Sequence, residues 1–66
     1  MPVRVKEPPS EIPGGIIART VADGGTVWAE TWDGTAWRRG GATLAEITFG
    51  SRTLTPAEVG RLGLTP

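Results

Sequence analysis

The chain contains no cysteine, no histidine, no tyrosine and a single lysine, Lys6. Without cysteine there are no disulfides, no thiolate zinc sites and no thiol nucleophile. Without histidine there is no imidazole to shuttle protons or ligate metal near neutral pH. Ser10 and Ser51 therefore have no base to activate them, and the glycine pairs lack the lysine of a phosphate loop and the spacing of a dinucleotide fingerprint. The inventory points away from an enzyme, a metal site, a cofactor or a small-molecule substrate. Charge of one sign is also missing: seven basic residues balance seven acidic ones, so no overall field draws the chain to nucleic acid or to an anionic membrane. Residues 1–33 carry about −2 and residues 34–66 about +2, too little to steer a polyanion. No apolar run approaches membrane-spanning length, and MPVRVKEPP has no apolar targeting core. The expectation is a soluble, cytoplasmic protein. Sixty-six residues allow one domain, and a chain that short buries only about 60% of its unfolded surface. Its reinforcement has to come from aromatic packing, self-association or a partner.

What is present centres on Thr26–Arg39, TVWAETWDGTAWRR, which holds all three tryptophans. Asp33-Gly34 between alternating apolar and polar residues predicts two strands joined by a two-residue type I′ turn. That register sets Trp32 opposite Thr35, Glu30 opposite Trp37 and Trp28 opposite Arg39. Cross-strand partners share a side of a sheet, so Trp28, Trp32 and Trp37 fall on one face, with Val27, Ala29, Thr31, Ala36 and Arg38 on the other. Large and apolar, the indoles are the expected core.

Residues 1–15, with Pro8, Pro9 and Pro13, read as an extended Pro-rich arm. The plainer expectation for this arm is a disordered or surface-laid terminus; the alternative is that Val3–Lys6 adds as a strand to a neighbouring subunit's sheet edge, and the domain proper spans residues 16–66. Ile16–Ala22 is β-branched and reads as a strand. A two-residue turn within Asp23-Gly24-Gly25 places Ile17, Arg19 and Val21 on the tryptophan side, with Arg19 near Trp28 and Glu30. Ala42–Phe49 is ambiguous: Ala45, Ile47 and Phe49 alternate, yet Thr43 with Glu46 is a capping box, and a short helical turn is preferred. Arg52–Leu54 suits a short strand. Thr55 as N-cap, Pro56 at the first position, Glu58 closing the box and Gly63 as C-cap predict a C-terminal helix resting on the sheet. The fold class is thus mainly β: a small antiparallel meander of three to four strands, open to curling into an SH3-like half-barrel, with a short C-terminal α-helix.

Asp23 and Asp33 belong to turns, where aspartate bonds its own backbone. Glu30, the one carboxylate on the tryptophan face, reads as the partner of Arg19 or Arg39. Trp and Arg dominate interface energetics, so Trp28, Trp37, Arg19, Arg38 and Arg39 are the candidate contact residues of a non-catalytic protein-binding module that binds copies of itself or another protein. The alternative is a single-stranded nucleic-acid-binding face that stacks bases on Trp28, Trp32 and Trp37 and holds phosphates with Arg19 and Arg39. Zero net charge and the demand for those indoles in the core weigh against it.

The rhythm GTVWAETWDGTAWRRGG, followed by a capped helix and RLGLTP, resembles short uncharacterised proteins of high-GC actinobacteria and their phages, over roughly Ile16–Leu64. The excess of Arg over Lys, with abundant Ala, Gly and Thr, agrees with such a genome. The resemblance implies a phage accessory protein, either a minor virion component or an effector that binds a host protein, located in the host cytoplasm or the virion. It carries no defined functional residues.

Overall fold

The structure, a computed structural model, describes residues 8–64 together with the backbone of Arg4 and Val5. It is mainly β. Strands β1 (Arg4–Val5), β2 (Ser10–Ile12), β3 (Ile16–Asp23), β4 (Thr26–Trp32), β5 (Trp37–Arg39) and β6 (Arg52–Thr53) form one antiparallel sheet, and the helices are α1 (Leu44–Phe49) and α2 (Pro56–Leu62). The order across the sheet is β5-β4-β3-β2-β6, with β1 also pairing with β3. There are more strands than the three to four expected, because the first fifteen residues contribute β1 and β2 to the same sheet, while Arg52–Thr53 is the short strand expected there. Ser10–Ile12 pairs with Ala18–Ile16, and both Ser10 and Ile12 are buried. Arg4 and Val5 pair with Ala22 and Val21 of their own chain. The rest of the proposed Val3–Lys6 edge strand lies outside the described residues.

The β3–β4 hairpin follows the two-residue rule. Asp23 faces Thr26, and Gly24 and Gly25 take φ of 56° and 85°, the left-handed pair that a type I′ turn needs. Asp33-Gly34 does not. Trp32 pairs with Trp37, Thr31 with Arg38 and Glu30 with Arg39, so the loop is the four residues Asp33–Ala36. A type I′ turn there would put Asp33 at positive φ, and no described non-glycine residue is. Asp33 instead organises the longer loop with its side chain. Its Oδ1 accepts from the Thr35 N–H at 2.8 Å, the Ala36 N–H at 2.8 Å and the Thr35 hydroxyl at 3.0 Å. This is the Asx type of local bonding that competes with a tight turn. The register differs from the expected one by two residues, and an even shift keeps every side chain on its face.

Val21 and Ile17 are buried on the tryptophan side, while the main core cluster lies on the face away from the tryptophans. Ile12, Ala18 and Ala29 project there from β2, β3 and β4, and Ile47 of α1 packs onto them with Ala42 alongside. The indoles, expected to form this core, are only half-buried. Small residues on β3 and β4 let α1 approach, and the large residues occupy the other side. Helix α1 starts as its sequence dictates: the Thr43 hydroxyl accepts from the Glu46 N–H while the Glu46 carboxylate accepts from the Thr43 N–H.

Helix α2 has the same box at Thr55 and Glu58, Pro56 in its first turn, and Gly63 at φ 68° closing its end. It does not rest on the sheet: none of its residues is buried, and its backbone comes close to no described strand. With Val59 and Leu62 as its apolar residues and Gly60 between them, it has little to bury. Its tether is Arg52, whose two Nη atoms each donate at 2.8 Å to the carboxylate oxygens of Glu58 while reaching Glu11 of β2 at 3.5 Å.

Two predictions follow from this packing. A Cβ on Gly41 (φ 80°) would meet Thr31 Oγ1 at 2.8 Å, whereas one on Gly40 (φ 96°) meets nothing within 4 Å. Gly40→Ala should therefore show only the backbone strain of about 1–3 kcal/mol, and Gly41→Ala should lose more in urea unfolding. Glu58 carries the second. The Arg52 guanidinium, then the Thr55 N–H, hold its pKa down from 4.5 to about 2. A depressed folded-state pKa gives stability that is present above pH 4.5 and lost as pH falls towards 2. Acid titration of unfolding should show that loss, and Glu58→Gln should reduce its slope within the window.

Candidate functional site: the tryptophan and arginine face

The alternation of β3 and β4 sends Ile17, Arg19 and Val21 to the same side as Trp28, Glu30 and Trp32, and the β4–β5 register adds Trp37 and Arg39. Glu30 sits on the middle strand of these three, paired in register with Arg19 on one side and Arg39 on the other. Arg19 donates from Nε at 2.9 Å and from Nη2 at 2.7 Å to Glu30 Oε1. The second carboxylate oxygen, Oε2, accepts from the Trp28 indole Nε1–H at 3.0 Å. Both ends of the ion pair are largely out of water, the side chains retaining 9% and 14% exposure. Burial works against ionising Glu30, but the Trp28 and Arg19 hydrogen bonds and the charges of Arg19 and Arg39 outweigh it, leaving its pKa below the ordinary carboxylate value.

The rings fit around this pair. The Arg19 guanidinium lies 4.3 Å from the Trp37 ring centroid, and that of Arg39 lies 4.5 Å from Trp28. These are cation–π distances, within about 6 Å of a ring centre. Trp32 and Trp37 meet edge-to-face at 5.2 Å and 63°, the arrangement that the ring quadrupoles favour. The three tryptophans share a face, but they do not form one ring cluster: Trp28 joins the Trp32–Trp37 pair through Glu30 and two arginines. Arg19, expected near Trp28 and Glu30, shares the Glu30 carboxylate with Trp28 and also reaches across β4 to stack on Trp37. At the hairpin end, Arg38 is turned towards the loop, its Nε donating at 2.7 Å to Asp33 Oδ2. That bond, with the Ala36 and Thr35 N–H groups, holds the Asp33 pKa far below its usual value.

Of the five residues singled out from sequence, the structure brings Arg19, Trp28, Trp37 and Arg39 together through Glu30. Arg38 lies on the other side of the strand and engages Asp33. Arg19 is buried and wholly engaged, so it supports the face rather than offering a contact. Glu30, expected to partner Arg19 or Arg39, pairs with Arg19; what the sequence did not signal is the second bond it accepts, from the Trp28 indole. A second feature had no clear signal. Phe49, at the end of α1, is 87% exposed and borders an open groove of about 350 Å³ with Ile12, Pro13 and Arg52. A helical turn of six residues gave no means of telling which apolar residue would face out.

The fold and the face together define a small mainly β domain in which one sheet surface is packed by a helix and the other carries ordered indoles and guanidiniums. No protein-family model, curated protein or solved structure matches the chain. No described helix is long and apolar enough to cross a membrane.

Removing the carboxylate should expose the dependence of the face on it. Glu30→Ala leaves Arg19 charged, buried and unpaired, and should destabilise the domain by roughly 3–5 kcal/mol in urea unfolding. The double variant Arg19→Met/Glu30→Leu should be more stable than Glu30→Ala, because no uncompensated charge remains.

Proposed function

We propose that the protein is a non-catalytic protein-binding module whose contact surface is the tryptophan and arginine face. The observation that carries this reading is that Trp28, Trp32 and Trp37 stay half-buried at a surface over which no described helix packs: α1 covers the opposite face, and among the described residues α2 reaches the sheet through Glu58 on Arg52 of the far edge strand β6. Large amphipathic side chains in fixed rotamers are the residue types from which protein interfaces draw most of their energy, and their pre-ordering lowers the entropy lost on binding. Nucleic-acid binding is the weaker reading. Arg19 is committed to Glu30, Arg38 to Asp33 and Arg52 to Glu58, which leaves Arg39 and Arg61 as the cations outside ion pairs among the described residues. The sequence resemblance adds a setting: a phage accessory protein, part of a virion or an effector of a host protein.

The test combines affinity capture from lysate of the source cells with hydroxyl-radical footprinting of the captured complex. The expected result is a retained protein that protects Trp28 and Trp32 from oxidation. Retention of nucleic acid in place of protein contradicts the reading, as does a captured protein that protects Phe49 and leaves the tryptophans reactive.

A further inference from the structure

The contact face contains one charge that the fold orders without neutralising it. Arg19 and Glu30 cancel each other, and Arg38 and Asp33 do the same at the loop. Arg39 is exposed and makes no hydrogen bond or ion pair with any described residue, yet its guanidinium lies 4.5 Å from the centre of the Trp28 ring. Trp28 is itself anchored by its indole N–H to Glu30 Oε2 at 3.0 Å. The stack restrains the guanidinium while leaving donors unused, and a planar guanidinium matches a carboxylate in a two-point bond. Arg61, exposed on α2 and also without an ion pair to a described residue, has no ring beneath it.

Resting on the protein-binding reading, we infer that Arg39 on Trp28 is the subsite that receives a side-chain carboxylate of an acidic segment on the partner protein. The surrounding charge fixes the sign of that partner. With Arg19–Glu30 and Arg38–Asp33 neutral as pairs, the described residues leave the β4–β5 end of the face with the positive charge of Arg39, and a cation there would be repelled. Glu30 does not take the role of the missing anion: its oxygens accept from Arg19 and Trp28. The neighbouring Trp32 ring offers apolar surface for the residues flanking the acidic one.

The test uses the full chain and N-acetylated, C-amidated tetraglutamate as probe, with tetraglutamine and oligothymidylate as comparisons, read by NMR at the Arg39 Nε–H and Trp28 Nε1–H resonances. Tetraglutamate should shift both resonances saturably, and tetraglutamine should shift neither. Arg39→Gln should weaken the binding about tenfold, the loss expected for one charge-assisted hydrogen-bonded contact. Arg39→Lys should lie between the two, and Arg38→Gln should match the parent. Equal binding by Arg39→Gln and the parent overturns the assignment, as does an equal or stronger response to oligothymidylate. Should the captured protein still protect the tryptophans while tetraglutamate gives no shift, this subsite falls and the protein-binding reading stands. Capture of no protein at all removes the reading beneath it.

Discussion

The ion pair between Arg19 and Glu30 is the constraint around which the rest of the sheet is arranged. Two charges withdrawn from water at neighbouring positions of β3 and β4 are tolerable only when each has its full set of partners. Glu30 finds them in Arg19 on one oxygen and the Trp28 indole on the other. Arg19 lies over Trp37, and Trp37 in turn meets Trp32. A small chain without disulfides has few means of fixing a surface, and here polar bonds between strands do what cross-links do in other small domains. Among the described residues no buried side-chain nitrogen or oxygen lacks a partner, which is the condition for such a network to favour one arrangement over many.

The same alternation that gathers these residues sends the small ones to the opposite face. Ala18 and Ala29 are small enough for α1 to seat Ile47 against the sheet, so one short helix closes the core there. This division leaves the indoles at the surface with their rotamers set by neighbours in the plane of the sheet. A domain that buried its tryptophans in the core would have no comparable face to offer. Helix α2 stands apart from both layers, held through Arg52 to Glu58 and to Glu11, with its turns capped at each end.

Local signals in the sequence were legible wherever the deciding interactions are local. The capping boxes at Thr43–Glu46 and Thr55–Glu58, the Gly24-Gly25 turn and the shared face of Trp28, Trp32 and Trp37 all depend on residues within a few positions of one another. Misjudgements arose where two local preferences compete or where the answer lies far along the chain. Asp33-Gly34 suits a tight turn by composition, but the Asp33 carboxylate binds two backbone N–H groups and Arg38 better in a longer loop. The indoles looked like core because of their size, and only the pairing of Ile12 and Ile47 across thirty-five positions shows where the core forms. Ser10–Ile12 looked like part of an arm because Pro8, Pro9 and Pro13 surround it, although none of the three occupies a paired position of β2. The partner residues of the face were half legible: their side could be counted off by parity and Glu30 could be matched to Arg19, but not the Trp28 bond to Glu30 or the pairing of Arg39 beside it.

The claim that Glu30 holds the face rigid is tested most directly by ¹⁵N relaxation of the Trp28 indole Nε1–H in the isolated protein. An order parameter near about 0.85, the level of rigid backbone, is the result the hydrogen bond to Glu30 requires. A value below about 0.6 would show an indole moving freely at the surface, and the ordered face would then not exist in solution.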